Sequence, residues 1–238
     1  MPRLWLLGRV TPGAARVARE VLVARASATE AEALVGRLCG LEGVGLRGIS
    51  LRAELKPARL DALLKAPCAA GLERLSMAEE ARLTTRSCGP LAELHAARLT
   101  TLKLLPWVSD EPLWVLALAS WPALRVLALP GYSHIDGATV ARWVERAPLL
   151  EELDLTWRHC TAALIALAEL PLPRLRRLRL NGASLEVEGL DALEGAPWLM
   201  QLDGLYGETY SHASMRDEAH KRRLMALHES LRARQEVL

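Results

Sequence analysis

Leucine recurs in the order Leu-x-x-Leu-x-Leu about every 25 residues between positions 46 and 204. Ile49 and Met77 replace a leucine in two copies, and Gly204 stands at the last position of the final copy. A fixed period of this length predicts a repeat architecture, because each unit then has one apolar face that only its neighbours can bury. The first leucines of the seven copies are Leu46, Leu72, Leu99, Leu124, Leu150, Leu175 and Leu199.

Each copy has two halves with different hydrophobic periods. The leucines alternate with other residues, which predicts a short parallel strand, and the stretch after them predicts a helix. Helices are expected at 139–146, 161–170 and 187–194, and each ends before a proline, which cannot continue a helix. A further strand at 21–26 and a helix at 29–38 are expected one repeat length before the first clear copy. The prolines, each two residues before a first leucine, are Pro122, Pro148, Pro173 and Pro197.

The residues of this pattern resemble the leucine-rich-repeat family, and segment 147–155, A-P-L-L-E-E-L-D-L, matches it best. The period near 26 with a helical second half is similar to the ribonuclease-inhibitor-like and cysteine-containing F-box-type repeats of that family. The resemblance implies an α/β solenoid, a horseshoe with parallel β-strands on the concave face and helices on the convex face. The family usually has Asn or Cys eight residues after the first leucine, but here those positions hold Glu54, Glu80, Trp107, Tyr132, Arg158 and Ala183.

The pattern divides the chain into three parts. Residues 1–45 are expected to form an N-terminal cap, in which a degenerate repeat is one interpretation. Residues 46–206 hold the seven leucine-rich repeats, and residues 207–238 form either a C-terminal helical cap or a partner-binding tail. An apolar face on each terminal segment is expected to cover an open end of the repeat stack.

The two terminal segments have different compositions. The start of the first segment, residues 3–25, has five Arg and a single acid, Glu20, which is also typical of an organelle transit peptide. The last is charged and rich in helix formers. The residues expected on one helix face are Val10, Ala14, Val17 and Val21 in the first segment and Leu224, Leu227, Leu231 and Leu238 in the last.

Residues two and four places after each first leucine are expected on the sheet face opposite the core. Side chains alternate between the two faces of a strand, and equivalent residues of neighbouring strands lie about 4.8 Å apart. This face is weakly basic in the first repeats, apolar in the middle and carries both charges toward the end. The pairs are Gly48/Ser50, Arg74/Ser76, Thr101/Lys103, Val126/Ala128, Glu152/Asp154, Arg177/Arg179 and Gln201/Asp203.

The charged pairs on neighbouring strands have two interpretations. Glu152 and Asp154 lie beside Arg177 and Arg179, so the pairs can neutralise each other, and exposed ion pairs contribute only ~0 to 1 kcal/mol each. Alternatively, a patch of both charges orients a protein partner, and it consists of Arg176, Arg177, Arg179, Glu151, Glu152 and Asp154. The residues alone leave both interpretations open.

Seven tryptophans and three tyrosines supply the large rings of a chain that has no Phe. Trp107, Tyr132 and Trp157 follow their first leucines by seven or eight residues, which predicts neighbouring positions along one rim of the sheet. They are expected either to form an apolar patch that anchors a partner or to fold under the loops. The rings expected to pack inside are Trp114, Trp121, Trp143 and Trp198.

Composition limits the classes of function. The net charge of +2 does not indicate nucleic-acid binding, and the uncharged apolar stretch at 112–124 is too short to span a membrane. No phosphate loop, catalytic motif or metal-ligand spacing is present in the sequence, so no cofactor and no metal are expected. Four cysteines without a C-x-x-C pair are typical of reduced thiols, which favours a cytoplasmic protein.

These features predict a non-enzymatic module that binds a protein partner through the concave face and an aromatic rim. The alternatives are a structural subunit or inhibitor in a permanent complex, and the substrate-recognition unit of a ubiquitin-ligase-like enzyme with a reactive cysteine. The residues expected to bind the partner are Arg74, Lys103, Trp107, Val126, Tyr132, Glu152, Asp154, Trp157, Arg177 and Arg179.

Overall fold

The computed structural model is an α/β unit with a single parallel β-sheet. It describes residues 4–6, 20–23, 28–40, 45–52, 55–77, 84–104, 110–129, 136–156, 160–180, 185–207 and 218–235. Within these ranges the sheet has nine strands, and they lie side by side in the order in which they follow along the chain. The strands are β1 (Leu4–Leu6), β2 (Glu20–Val23), β3 (Gly48–Leu51), β4 (Arg74–Met77), β5 (Thr101–Leu104), β6 (Val126–Ala128), β7 (Glu152–Leu155), β8 (Arg177–Leu180) and β9 (Gly204–Gly207).

The seven described helices that connect the strands from β2 to β9 form one layer, because each contacts the next of the seven along the chain. This layer lies on the leucine side of the sheet, since the strand leucines and the apolar helix residues share one core. The helices are α1 (Ala28–Cys39), α2 (Pro57–Lys65), α3 (Thr85–Pro90), α4 (Asp110–Leu118), α5 (Gly137–Glu145), α6 (Thr161–Ala168), α7 (Val187–Gly195) and α8 (Glu218–Gln235); short turns follow at Pro67–Ala69, Leu91–His95 and Leu199–Gln201.

The leucines of the sequence pattern build the core. Leu127 pairs with Leu102 on one side and Leu153 on the other, and all three side chains are fully buried. Full burial of a leucine side chain contributes about 1.5–3 kcal/mol relative to leaving it in water. A row of leucines that crosses the strands therefore holds each repeat on its neighbour. The predicted strands at these leucines are confirmed from β3 to β8.

The predicted helix limits agree with the structure to within two residues. The structure has a helix at each predicted range: 29–38 corresponds to α1, 139–146 to α5, 161–170 to α6 and 187–194 to α7. Local chemistry explains one of the starts: the Asp136 carboxylate accepts the Thr139 N–H at 2.6 Å and so caps α5. The extra strand expected at 21–26 corresponds to β2, which begins one residue earlier; residues 24–26 lie outside the described residues.

The sequence placed the last repeat in the wrong register. Arg177 pairs with Gly204 and Leu178 with Leu205, so the repeat begins at Leu202 and not at Leu199. Residues 199–201 form a 3₁₀ turn before the strand, and the Leu202 N–H donates to the Leu199 carbonyl at 3.2 Å, so Leu199 lies in the turn. The pair Gln201/Asp203 therefore does not belong to the outer columns. Consecutive leucines three residues apart at 199, 202 and 205 made both registers compatible with the pattern.

The expected N-terminal covering helix is wrong at Val21. This residue lies in β2 and pairs with Leu4 of β1 and Ile49 of β3. Without β2, the edge of β3 would have unpaired backbone N–H and C=O groups. An extended segment forms hydrogen bonds with these groups, whereas a helix does not. The other three residues of the predicted face, Val10, Ala14 and Val17, lie outside the described residues.

The C-terminal helix α8 packs on the last strand. Leu224 and Leu231 are buried, and Leu227 is partly buried against the same core. Arg223 donates hydrogen bonds to Asp191 at 2.7 Å and to Glu194 at 2.6 Å in α7. This packing is the kind expected of a helix that covers the end of a sheet; Leu238 lies outside the described residues.

Candidate functional site

The candidate site is the outer face, defined here as the sheet side opposite the core leucines in strands β3 to β8. The strand register aligns its residues in two columns that cross the sheet. Most of its side chains are half-buried or exposed, whereas Gly48 and Ala128 are buried. The columns are Gly48, Arg74, Thr101, Val126, Glu152 and Arg177, and Ser50, Ser76, Lys103, Ala128, Asp154 and Arg179.

A cluster of charges occupies the outer face on β7 and β8. Arg177 Nη1 lies 3.6 Å from Glu152 Oε2, and Arg179 Nε lies 3.3 Å from Glu152 Oε1. The Glu152 side chain is only 13% exposed, but those of Arg177 and Arg179 are 56% and 45% exposed. The predicted adjacency of these charges is confirmed. Both guanidinium groups lie beside the Glu152 carboxylate, and both arginine side chains remain about half exposed.

The second acid of the cluster has a different role. Asp154 lies beside Arg179 in the register, and its Oδ1 atom accepts the Thr156 N–H at 2.9 Å. This bond fixes the backbone where β7 ends. Asp154 is half-buried, so this end of the outer face offers one shielded carboxylate, one partly shielded carboxylate and two accessible guanidinium groups.

The other end of the outer face is basic, as the sequence predicts. Arg74 and Lys103 are half-buried in adjacent strands, and Arg74 Nη1 lies 3.6 Å from Glu73 Oε2. Val126 lies between this basic end and the charged cluster, and it is half-buried. Ala128 is buried, so it adds little to the apolar patch that the sequence places there.

Another row of charges, the edge column, crosses the sheet where its strands begin. Ion pairs join Arg47 to Glu73 at 3.1 Å and Arg125 to Glu151. The Arg125 carbonyl also accepts the N–H groups of Glu151 and Glu152, both at 2.8 Å. The sequence predicts Glu151 and Arg176 as part of a charged patch but not the whole row, whose signal is the residue directly after each first leucine. The edge column is Arg47, Glu73, Thr100, Arg125, Glu151, Arg176 and Asp203.

The predicted aromatic rim lies outside the described residues. This applies to Trp107, Tyr132 and Trp157, and to all six positions where the leucine-rich-repeat family usually has Asn or Cys. Their contribution to binding stays a prediction. The described part of the candidate site is therefore the two outer columns and the edge column.

Three of the four tryptophans expected inside are buried. Trp121 and Trp143 are fully buried with ring centroids 5.9 Å apart, and Trp198 is 2% exposed. Trp114 contradicts the prediction, because its side chain is 45% exposed and lies under the Arg142 guanidinium at 5.5 Å. Helix α4, D-E-P-L-W-V-L-A-L, is apolar nearly all round, so its periodicity did not indicate which residues face the core.

The cysteines have the environment of core residues. Cys68, Cys88 and Cys160 are buried, and none of the four forms a disulfide. Burial raises the pKa of Cys68 to about 11 and that of Cys88 to about 12, and it also raises the pKa of Cys39. These three thiols are therefore protonated at neutral pH and poorly nucleophilic. In the described ranges, no three His, Cys, Asp or Glu residues form a group that could hold a metal ion.

His95 is the buried ionisable group with the clearest consequence for stability. Its side chain is 1% exposed, and Nε2 donates to the Leu64 carbonyl at 2.7 Å. Nδ1 is buried without a hydrogen-bond partner among the described residues. Burial lowers the pKa of His95 below its ordinary value of 6.5, so the folded chain keeps the ring neutral.

We expect His95 to make the protein less stable in mild acid. Because its pKa is lower in the folded chain, the unfolded chain binds the proton first as the pH falls through 6.5. The free energy of unfolding should therefore decrease as the pH falls from 7.5 to 5, because of this group. Urea unfolding of wild type and His95→Gln, which keeps the N–H donor, measures the difference. Equal pH dependence in both proteins would assign the acid sensitivity to other groups.

Comparison with known proteins leaves the family unassigned. No protein-family model matches the chain, and no curated protein resembles it significantly. Among the helices in the described ranges, none combines the length and apolarity that a membrane crossing requires.

Proposed function

We propose that the chain is a leucine-rich-repeat solenoid and that it binds a protein partner through the outer face, without catalysis. The repeat period, the strand order and the single helix layer support the solenoid. Parallel strands lie about 4.8 Å apart, whereas packed helices need about 8–10 Å. One helix for each strand therefore favours a curved stack with the outer face on its concave side.

The accessible guanidinium groups of Arg177 and Arg179 are the observation that carries the binding proposal. They lie two residues apart in β8, one in each outer column, and both approach Glu152 of β7; more than two fifths of each side chain is exposed. Arg presents several N–H donors in a rigid plane and is enriched in protein interfaces. A partner with carboxylates opposite these groups fits the outer face, and Val126 supplies an apolar contact beside them.

Cysteine chemistry supports binding over the ubiquitin-ligase-like alternative. A catalytic thiol needs a lowered pKa, but burial raises the pKa of Cys39, Cys68 and Cys88. The four free thiols also favour a reducing compartment, and we propose the cytoplasm. A permanent complex remains the second form of the binding proposal, and it differs in that partner and chain would not separate during purification.

A paired-variant capture experiment tests the outer face. The variant Val126→Lys/Arg177→Glu should recover at least tenfold less partner from lysate of the source cells than wild type, a loss of about 1.4 kcal/mol or more. Reversing the charge at position 177 repels carboxylates of the partner. The new lysine lies in the strand next to Glu152, which limits the loss of charge pairing within the face.

The control carries the same two exchanges elsewhere. Val187 and Arg222 are exposed on helices α7 and α8, so Val187→Lys/Arg222→Glu has the same net charge as the test variant. Circular dichroism and thermal unfolding should show that both variants are folded. Equal recovery of the partner by the test variant and wild type would contradict binding through the outer face.

A further inference from the structure

An apolar cleft of about 360 Å³ opens between two helix-to-strand turns, away from the outer face. It lies between the turn that precedes β7 and the turn that precedes β8. Ala147, Leu150, Leu170 and Leu172 are among the residues that line it. Pro148 and Pro173 are exposed at its mouth. Apolar cavities of roughly 150 Å³ can take up benzene, so this volume is sufficient for a larger ring.

The preceding repeat shows what fills the equivalent place there. The strand register aligns Trp121 with Ala147 and with Leu172, because each lies three residues before its first leucine. The same turn hydrogen bond is present in all three repeats, from the N–H of the first leucine to the carbonyl of the aligned residue, at 3.0–3.2 Å. The indole ring of Trp121 in one repeat is therefore replaced by the methyl group of Ala147 in the next.

The Trp121 ring shows how an aromatic group fits between repeats. It is fully buried against Trp143 of the following helix, and its Nε1 donates to the Leu116 carbonyl at 2.9 Å. Ala147 provides no such ring between α5 and the turn after α6. The cleft is therefore the space that a missing aromatic side chain leaves, and it is open to solvent.

We propose that this cleft binds one aromatic side chain of a protein partner, of the size of tryptophan. The cleft walls match an indole in size and apolarity, and the same fold position holds an indole in the neighbouring repeat. Glu145 and Arg174 line the cleft and are exposed, so its rim carries both charges. These charges complement a polypeptide segment with a basic residue on one side of the ring and an acidic residue on the other. The proposal does not depend on the outer face as the partner's site.

Fluorine NMR with N-acetyl-5-fluorotryptophanamide tests the cleft directly. The wild-type protein should produce a saturable shift of the fluorine signal, and Ala147→Leu should weaken binding at least tenfold. Leucine is a suitable replacement because the aligned position in the next repeat already holds Leu172. The matched control is Ala138→Leu on the exposed side of α5, and it should bind the probe like wild type.

Amide chemical shifts of the wild-type protein provide a second test that needs no variant. Addition of the probe should shift the amides of Leu150, Leu170 and Arg174 and leave that of Ile165, exposed on α6, unchanged. Absence of binding, or equal binding by wild type and Ala147→Leu, would overturn the proposal. It would also be overturned if free 5-fluoroindole entered the cleft and the tryptophanamide did not, since the occupant would then be a free small molecule.

Discussion

Leu127→Ala is expected to lower the free energy of unfolding by about 3 kcal/mol, within the range of about 2–5 kcal/mol found for buried leucines. Leu127 is fully buried in the interior strand β6, between Leu102 and Leu153. Truncation removes apolar contacts in its own repeat and at both neighbouring strands. A change of this size is a large fraction of the stability of an ordinary domain, which is about 5–15 kcal/mol.

Val126→Ala is the matched control for this prediction. Val126 is the adjacent residue in the same strand, but it faces the other side and is half-buried. Its truncation should cost less than about 1 kcal/mol, since a partly exposed side chain loses fewer contacts. Urea unfolding monitored by circular dichroism measures both variants. Similar losses at positions 126 and 127 would mean that the leucines do not define a single buried face.

The second large effect is expected at Gly137, where the first turn of α5 meets the start of α6. A Cβ atom at this position would lie 2.1 Å from the Ala162 carbonyl oxygen and 2.6 Å from its carbon. These are backbone atoms, so no side-chain rotation can relieve the contact. Gly137→Ala should therefore separate the two helices and lower the free energy of unfolding by about 2 to 3 kcal/mol.

Gly89→Ala makes the same exchange without the contact. Gly89 lies in helix α3, and no atom is within 4 Å of the place its Cβ would occupy. Alanine favours a helix over glycine, so this variant should gain about 0.5–1 kcal/mol. Thermal and urea unfolding of the two variants should thus give changes of opposite sign. A destabilised Gly89→Ala together with an unchanged Gly137→Ala would contradict the packing of α5 on α6.

The leucine spacing predicted the strands because the burial of one strand face alone determines where the leucines stand. A strand with leucines at alternate positions can bury only one face, and a shift by one residue would expose all of them. The adjacency of Glu152 with Arg177 follows from the same register, and the structure has it. At residues 199–205 the spacing was ambiguous, because Leu199, Leu202 and Leu205 fit two registers. The 3₁₀ turn that contains Leu199 decides between the two registers, and the leucine spacing alone does not predict it.

Trp114 and the apolar cleft show a second limit of sequence reasoning. Helix α4 has apolar residues on every side, so the exposure of Trp114 depends on how the helix rotates against its neighbours. The cleft forms because a small side chain stands where the preceding repeat has a large one. Ala147 indicates a cleft only when it is aligned with Trp121 of that repeat. A repeat-by-repeat comparison of side-chain volumes contains this signal, whereas a search for motifs does not.

Site-specific photo-crosslinking is the most direct measurement of the central claim, that a protein partner binds the outer face. p-Benzoylphenylalanine would replace Ser76 or Thr101 on the outer face, and Ala138 on the helix layer, one position in each protein. After irradiation in lysate of the source cells, the first two positions should crosslink to the same discrete protein, and position 138 should not. Crosslinks to a discrete protein from position 138 alone would contradict the claim and assign the contact to the helix layer.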